Sequence, residues 1–279
     1  MADRVLEGKV ALITGAGRGI GKDIAVAFAR QGANLVLVSR TGSELEASAG
    51  ELRQSGREVL TLCADVSRWP DVESMAAAAI AKFRRIDILV NNAGVQGPIG
   101  PLWENDPDAW AATLLINVGG MFHCCRAVIP AMIRNGGGKI VNLSGGGASG
   151  ARPYFTAYAA SKTAVVRFTE TLAEEVKQYN IQVNAVAPGA VNTKMTRQVL
   201  EAGASAGEKD LKDARKVAEQ GNSAQSAAEL ITFLASEESD GISGRLISAQ
   251  WDDWRLFPKL AAQFESSDLY KLRRVTEQR

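Results

Sequence analysis

KVALITGAGRGIG, residues 9–21, is the stretch whose reading decides the fold. Lys9 to Thr14 is a short apolar run, the glycine cluster Gly15, Gly17, Gly19 and Gly21 follows, and an amphipathic pattern continues through Arg30. A strand feeding a glycine-rich turn and then a helix directs backbone N–H groups and the helix's positive end at a pyrophosphate. Spacing selects the variant. Counted from Gly15, the G-x-G-x-x-G fingerprint needs glycine where Ile20 stands, whereas T-G-x-x-x-G-x-G fits at Thr14, Gly15, Gly19 and Gly21.

Working outward, short apolar runs alternate with helical patterns. Strands are expected at Asn34 to Ser39, Glu58 to Cys63, Ile86 to Val90, Lys139 to Ser144, Ile181 to Ala187 and Arg245 to Ala249. Helices are expected over about Gly42 to Gln54, Pro70 to Phe83, Pro107 to Asn135, a stretch carrying Tyr158 as far as about Tyr179, and Ala224 to Ala235. Such alternation implies parallel strands joined by right-handed crossovers, with both sheet faces covered. The expected architecture is α/β, a doubly wound parallel sheet of about seven strands in one domain spanning residues 1–250. The tail, 251–279, begins with Trp251, Trp254, Phe257 and Phe264 and is too apolar to be loose, so it docks on its own domain or on a neighbouring subunit. Between Lys194 and about Ser223 large apolar residues are few, which suggests mobile helices over the cleft.

The second strand ends at the position that distinguishes dinucleotides. An acidic residue there binds ribose hydroxyls, whereas arginine suits a 2′-phosphate. Here Ser39 is followed by Arg40 with no carboxylate beside it, so NADP(H) is favoured over NAD(H), with Arg40 as main ligand and Arg18 as a second. Further along, SGGGASGARPYFTAYAASK, residues 144–162, sets Tyr158 and Lys162 four apart, on one face of a helix. A fixed ammonium lowers a neighbouring phenol's pKa and makes it a usable acid or base. Asn117 lies among Leu114, Leu115, Ile116 and Val118, where an unpartnered buried amide would cost about 1 to 3 kcal/mol. It therefore has partners, of which capping a neighbour is the simplest.

Composition excludes several classes. The 279 residues are 46% hydrophobic and 23% charged with a formal net charge of +1, which gives no electrostatic case for nucleic acid or an acidic membrane surface. The start has no signal pattern, and no apolar run approaches the roughly 20 residues of a membrane span. Cys63, Cys124 and Cys125 read as reduced core thiols of a cytoplasmic protein, and His123, the one histidine, reads as a packing residue, so no metal site is expected.

Taken together, these motifs resemble the short-chain dehydrogenase/reductase family over roughly residues 7 to 250. The resemblance rests on Thr14-Gly15-x-x-x-Gly19-x-Gly21, Asn91-Asn92-Ala93-Gly94, Asn117, Tyr158-x-x-x-Lys162, and Pro188-Gly189 before Thr193. It implies a three-layer Rossmann-type fold and an NAD(P)-dependent alcohol–ketone interconversion on a small-molecule substrate, in a homo-oligomer, most often a tetramer. By position, Gly15, Arg18, Gly19, Ile20 and Gly21 form the pyrophosphate turn, Asp65 and Val66 hold the adenine edge, and Asn91, Ala93 and Gly94 lie along the cofactor. Val191 and Thr193 fix the carboxamide after Pro188 and Gly189. Tyr158 is the general acid, Lys162 binds the nicotinamide ribose and depresses the Tyr158 pKa, and Asn117 holds a water linking Lys162 to solvent. Substrate walls are expected from Gln96, Trp103, Tyr154 and Met195.

Two positions depart from the family. The serine it usually carries thirteen residues before the tyrosine is Gly145 here. Ser144 stands one residue away, on the opposite face of a regular strand, unless Gly145-Gly146-Gly147 twists the strand end to present it; Ser149 or no residue at all are the other options. Loss of such a donor costs about 3 to 4 kcal/mol of transition-state stabilisation. The second departure is Gln250-Trp251-Asp252-Asp253-Trp254, whose tryptophans suit an oligomer contact ahead of a substrate pocket. Gly145 also leaves open a non-catalytic NADP(H) sensor or scaffold, and an isomerase or dehydratase working through a transient ketone is a further alternative.

Overall fold

Residues 4–221 and 223–275 are described by the computed structural model. Seven parallel strands run β1 (Val10–Thr14), β2 (Asn34–Ser39), β3 (Val59–Cys63), β4 (Ile88–Asn91), β5 (Gly138–Leu143), β6 (Ile181–Ala187) and β7 (Leu246–Ser248). Their spatial order is β3-β2-β1-β4-β5-β6-β7. Leu12 is paired with Val36 of β2 on one side and with Leu89 of β4 on the other. Every residue of β1 is buried, as expected of a central strand covered on both faces. After β3 the chain crosses back over β1 to start β4, so the winding reverses between β1 and β4 and opens a crevice at their carboxyl ends.

Ten α-helices are described: α1 (Gly19–Arg30), α2 (Gly42–Arg53), α3 (Trp69–Phe83), α4 (Pro107–Leu114), α5 (Gly120–Arg134), α6 (Thr156–Val176), α7 (Lys194–Ala202), α8 (Glu208–Gln220), α9 (Gln225–Ala235) and α10 (Phe257–Glu265). Side chains of α1, α2, α9 and α10, among them Ile24, Phe28, Leu45, Ile231 and Phe257, form one core against the sheet. Val72, Met75, Cys124, Val128, Val165 and Leu172 of α3, α5 and α6 form the other. Most buried apolar side chains thus fall in two layers with the sheet between them, and a smaller cluster around Phe155, Tyr158 and Val199 lies apart from both.

Three sequence expectations are corrected here. The helix expected over Pro107 to Asn135 contains a π-helical turn, Leu115–Gly119, between α4 and α5. By length and composition Pro107–Arg134 is apolar enough to cross a membrane, although no uninterrupted apolar run of that length exists. In the fold it packs against α3, α6 and β4. Cys63 is exposed at the end of β3, its thiol directed at the Arg40 carbonyl, so only Cys124 and Cys125 are core thiols.

The tail returns to the sheet. Arg245, 4% exposed, donates to the carbonyls of Ser267 (3.0 Å), Leu269 (2.7 Å) and Phe264. Two N–H groups of β7 point away from β6: Leu246 donates to the Tyr270 carbonyl (2.7 Å) and Ser248 to Asp252 Oδ2 (2.7 Å). Glu170, buried on α6, accepts from Arg167, from Arg273 and from the Leu272 backbone. Trp254 is buried against Phe233, which takes it out of the oligomer contact expected of it, while Trp251 remains 85% exposed.

Candidate active site

The glycine turn is held by atoms from two strands. Thr14 Oγ1 accepts from the Asn92 and Ala93 backbone N–H groups (both 3.0 Å) and donates to the Val90 carbonyl (3.3 Å). Asn92 Nδ2 donates to the carbonyls of Thr14 (2.9 Å) and Gly15 (3.1 Å). Asn92 is therefore the tie between the ends of β1 and β4, a role that its place in Asn91-Asn92-Ala93-Gly94 signalled without specifying. Gly15 (φ +66°) and Gly19 (φ +54°) are left-handed, which only glycine adopts freely. Gly21 faces inward: a Cβ there would collide with the Gly15 carbonyl oxygen, and with Asn92 Nδ2 at 2.5 Å.

Beside this turn lies a cleft of about 370 Å³. Gly15, Arg18, Gly19 and Ile20 form its floor, Ser39, Arg40, Asp65 and Val66 one end, and Ala93, Gly94 and Thr193 the other. The α1 N-terminus enters it with no acidic residue in the first turn. Its positive end is thus free for an anion. Glu44 also lines the cleft, and its carboxylate pairs with Arg18; Asp65 lies 3.8 Å from Arg40. The expectation that no carboxylate stands near the 2′-phosphate position is corrected accordingly, because α2 carries Glu44 back across the turn. Asn91 is corrected too. Its side chain leaves the cleft for the core and donates to Asn142 Oδ1 (2.8 Å) and toward Cys125 Sγ (3.4 Å).

Tyr158 and Lys162 leave α6 one turn apart on its buried face. A second cavity, about 680 Å³, contains Tyr158, Gly145, Gln96 and Met195 and is walled by Pro188, Gly189 and Val191. The two spaces share Ile20, Thr193 and Met195. Lys162 lies behind Gly94, with its ammonium 5.5 Å from the Tyr158 ring centre: a Cβ at Gly94 would lie 3.7 Å from Lys162 Nζ and 3.2 Å from Asn117 Oδ1. Asn117 is buried in the π-turn; it accepts from Val95 N (2.8 Å) and donates to Val95 O (3.0 Å) and Ser161 Oγ (2.9 Å). Both of its side-chain donors are engaged, so any water it holds is bound through acceptor atoms.

The glycine run does not present Ser144. Its hydroxyl is buried and donates to the Lys162 carbonyl (3.1 Å), away from the cavity, as strand alternation requires. A Cβ at Gly145 would stand 2.9 Å from the Tyr158 hydroxyl, so position 145 is the one that faces the phenol. Ser149 is exposed on the cavity rim. Of the expected walls, Gln96 and Met195 line the cavity, whereas Trp103 is 84% exposed and Tyr154 is turned toward Gly207.

Electrostatics at the pair differ from expectation. Burial pushes the Tyr158 phenol up, and the cation that opposes this is Arg152, whose guanidinium lies 5.4 Å from the ring centre and is held by Asp210 (2.7 Å). Lys162 Nζ donates to the Leu143 carbonyl (2.7 Å), and burial pushes it down to about 8 from an ordinary 10.5. Between these values the unfolded chain binds the proton more than the folded chain does, so stability rises with pH across that interval. The destabilisation is present in full below pH 8 and is relieved by about pH 10.5. Relative to Lys162→Met, the wild type is expected to gain up to about 3 kcal/mol over this range, read from denaturant unfolding at each pH. A difference that stays flat would contradict the burial of a charged ammonium.

Comparison with known proteins agrees with this geometry. Residues 9–203 match the family model described as short chain dehydrogenase. A 3-oxoacyl-[acyl-carrier-protein] reductase, FabG of Thermotoga maritima, is 36% identical over 87% of this chain and 96% of its own. The oxidoreductase UcpA of Salmonella typhimurium is 40% identical over 86% and 92%. Among solved structures, NAD+-bound xylitol dehydrogenase superposes with a TM-score of 0.81 at 31% identity, covering 87% of this chain and 98% of that one.

Proposed function

Because this chain belongs to the short-chain dehydrogenase/reductase family, we propose that it is an NADP(H)-dependent oxidoreductase interconverting a secondary alcohol and a ketone, with Tyr158 as acid and base. The observation carrying this reading is the Tyr158–Lys162 pair, with the phenol in the larger space and the ammonium 5.5 Å from its ring centre, behind Gly94 of the glycine-turn cleft. The cleft fits a dinucleotide: glycines where side chains would intrude, a free helix N-terminus for the pyrophosphate, and Gly94 leaving room above Lys162 and Asn117. When bound, the nicotinamide supplies or accepts the hydride. Tyr158 gives its proton to the substrate oxygen in reduction and takes it back in oxidation. Lys162 would hold the ribose hydroxyls of the bound cofactor, and its ammonium, 5.5 Å from the Tyr158 ring centre, favours the ionised phenol. A homo-oligomer, tetramer or dimer, is part of this reading and is supported by Leu115, Phe122 and Ile133, left exposed along the long helix.

Preference for NADP(H) is supported by Arg40, whose side chain is 59% exposed at the end of the cleft. Arg40→Asp is expected to lower the ratio of kcat/KM for NADPH over NADH at least about tenfold, roughly 1.4 kcal/mol. An unchanged ratio would remove Arg40 from the site. The reading as a whole is tested with diacetyl, cyclohexanone, acetophenone and ethyl acetoacetate, the last chosen for its likeness to a 3-oxoacyl group, following reduced nicotinamide by absorbance. No turnover of these or of the corresponding alcohols would count against it.

A further inference from the structure

The oxidoreductase reading leaves one atom unaccounted for, the hydrogen-bond donor that would sit beside Tyr158 on the substrate oxygen. Position 145 has no side chain, and the Ser144 hydroxyl is committed to the Lys162 carbonyl. The same cavity contains Gln96, 3% exposed, whose amide nitrogen has no hydrogen-bond partner among the described residues. A buried amide left unpaired in an otherwise well-bonded loop calls for a partner that the chain itself does not supply. We propose that Gln96 supplies the second hydrogen bond to the substrate oxygen, in place of the hydroxyl that Gly145 lacks.

Preorganisation supports this role, because the loop is pinned on both sides of Gln96. Val95 is bonded through its N–H and its carbonyl to the one Asn117 amide. Gly97, left-handed at φ +73°, lies so close to buried Thr113 that a Cβ there would overlap its hydroxyl. Beyond it, Gly100 N donates to the Tyr154 carbonyl (2.9 Å). Backbone held this way confines the reordering to the terminal amide. The amide nitrogen is closed off in the free chain, so a half-turn about the side chain's last bond, exchanging nitrogen and oxygen, is what brings the donor to the cavity. Glycine at 145 complements the arrangement by leaving the space next to the Tyr158 hydroxyl open.

The proposal rests on the oxidoreductase reading, so Tyr158→Phe is assayed alongside Gln96→Leu and Gln96→Glu with diacetyl, which is small enough to report on the reacting centre rather than the outer walls. Both Gln96 variants are expected to lose about 100-fold in kcat at pH 8, with cofactor Kd within twofold of wild type. Gln96→Glu has a further signature. Its carboxyl becomes a donor when protonated, so its kcat relative to wild type should climb as pH falls from roughly 8 to roughly 5.5. If Gln96→Leu does not fold, the near-isosteric Gln96→Glu decides alone. A kcat loss below tenfold, a loss confined to KM, or a pH-independent Gln96→Glu ratio overturns the proposal while Tyr158→Phe is inactive. Should Tyr158→Phe itself turn over, the assignment of Tyr158 as acid and base, on which this proposal rests, fails first.

Discussion

Tyr158→Phe should lower kcat by about a thousandfold and leave cofactor affinity within about twofold. The phenol is buried in the substrate-sized cavity, and its ring packs with Phe155 and Val199, contacts that Phe keeps. Removing the hydroxyl therefore deletes the transferable proton and little else. The cofactor cleft does not include Tyr158 among its walls, so nucleotide titration by protein fluorescence should barely change. Steady-state kinetics with the best ketone of the panel, beside that titration, separates the outcomes. Surviving turnover would remove Tyr158 as the acid and base of the reaction.

Gly21→Ala is expected to abolish measurable cofactor binding and to destabilise the fold by about 1 to 3 kcal/mol. The new methyl would strike the Gly15 carbonyl and Asn92 Nδ2, the atoms that hold the turn between β1 and β4. Because those atoms are backbone or hydrogen-bonded to backbone, α1 must move away from the strand rather than a side chain rotate. Gly50→Ala on α2 is the control. A Cβ there meets nothing within 4 Å, and a helical Gly→Ala change is neutral or stabilising by up to about 1 kcal/mol. Thermal unfolding and dinucleotide titration of both variants check the contrast. Equal behaviour would mean that the turn tolerates a side chain the geometry forbids.

Much of the fold was legible because parallel buried strands announce themselves as continuous apolar runs, and Asn34–Ser39 and Ile181–Ala187 have the bounds their sequences predict. The glycine turn and the four-residue spacing of Tyr158 and Lys162 were legible for the same reason: each is a local pattern on one element. What escaped depends on contacts between elements. The π-turn at Leu115–Gly119 is a slip in hydrogen-bond register with no residue signature of its own, yet it lodges Asn117 against Val95. The Glu44 carboxylate enters the cleft because α2 folds back over the turn, so reading only the end of β2 missed it. Asn91 follows its strand's alternation inward to Asn142. For Ser144 the alternation argument held, and the latitude granted to the glycines was the error: of Gly145, Gly146 and Gly147, only Gly147 takes a positive φ.

The three-residue edge strand β7 carries a consequence for assembly. Sheet borders are templates for β-addition because they offer a row of unclaimed amide donors. Here the two outward donors, on Leu246 and Ser248, are already taken by Tyr270 and Asp252 of the same chain. A strand from a second copy could therefore join this border only by prising the C-terminal segment loose. The arrangement protects the molecule from open-ended fibrous growth at that border and leaves helix packing as the route by which copies could associate there.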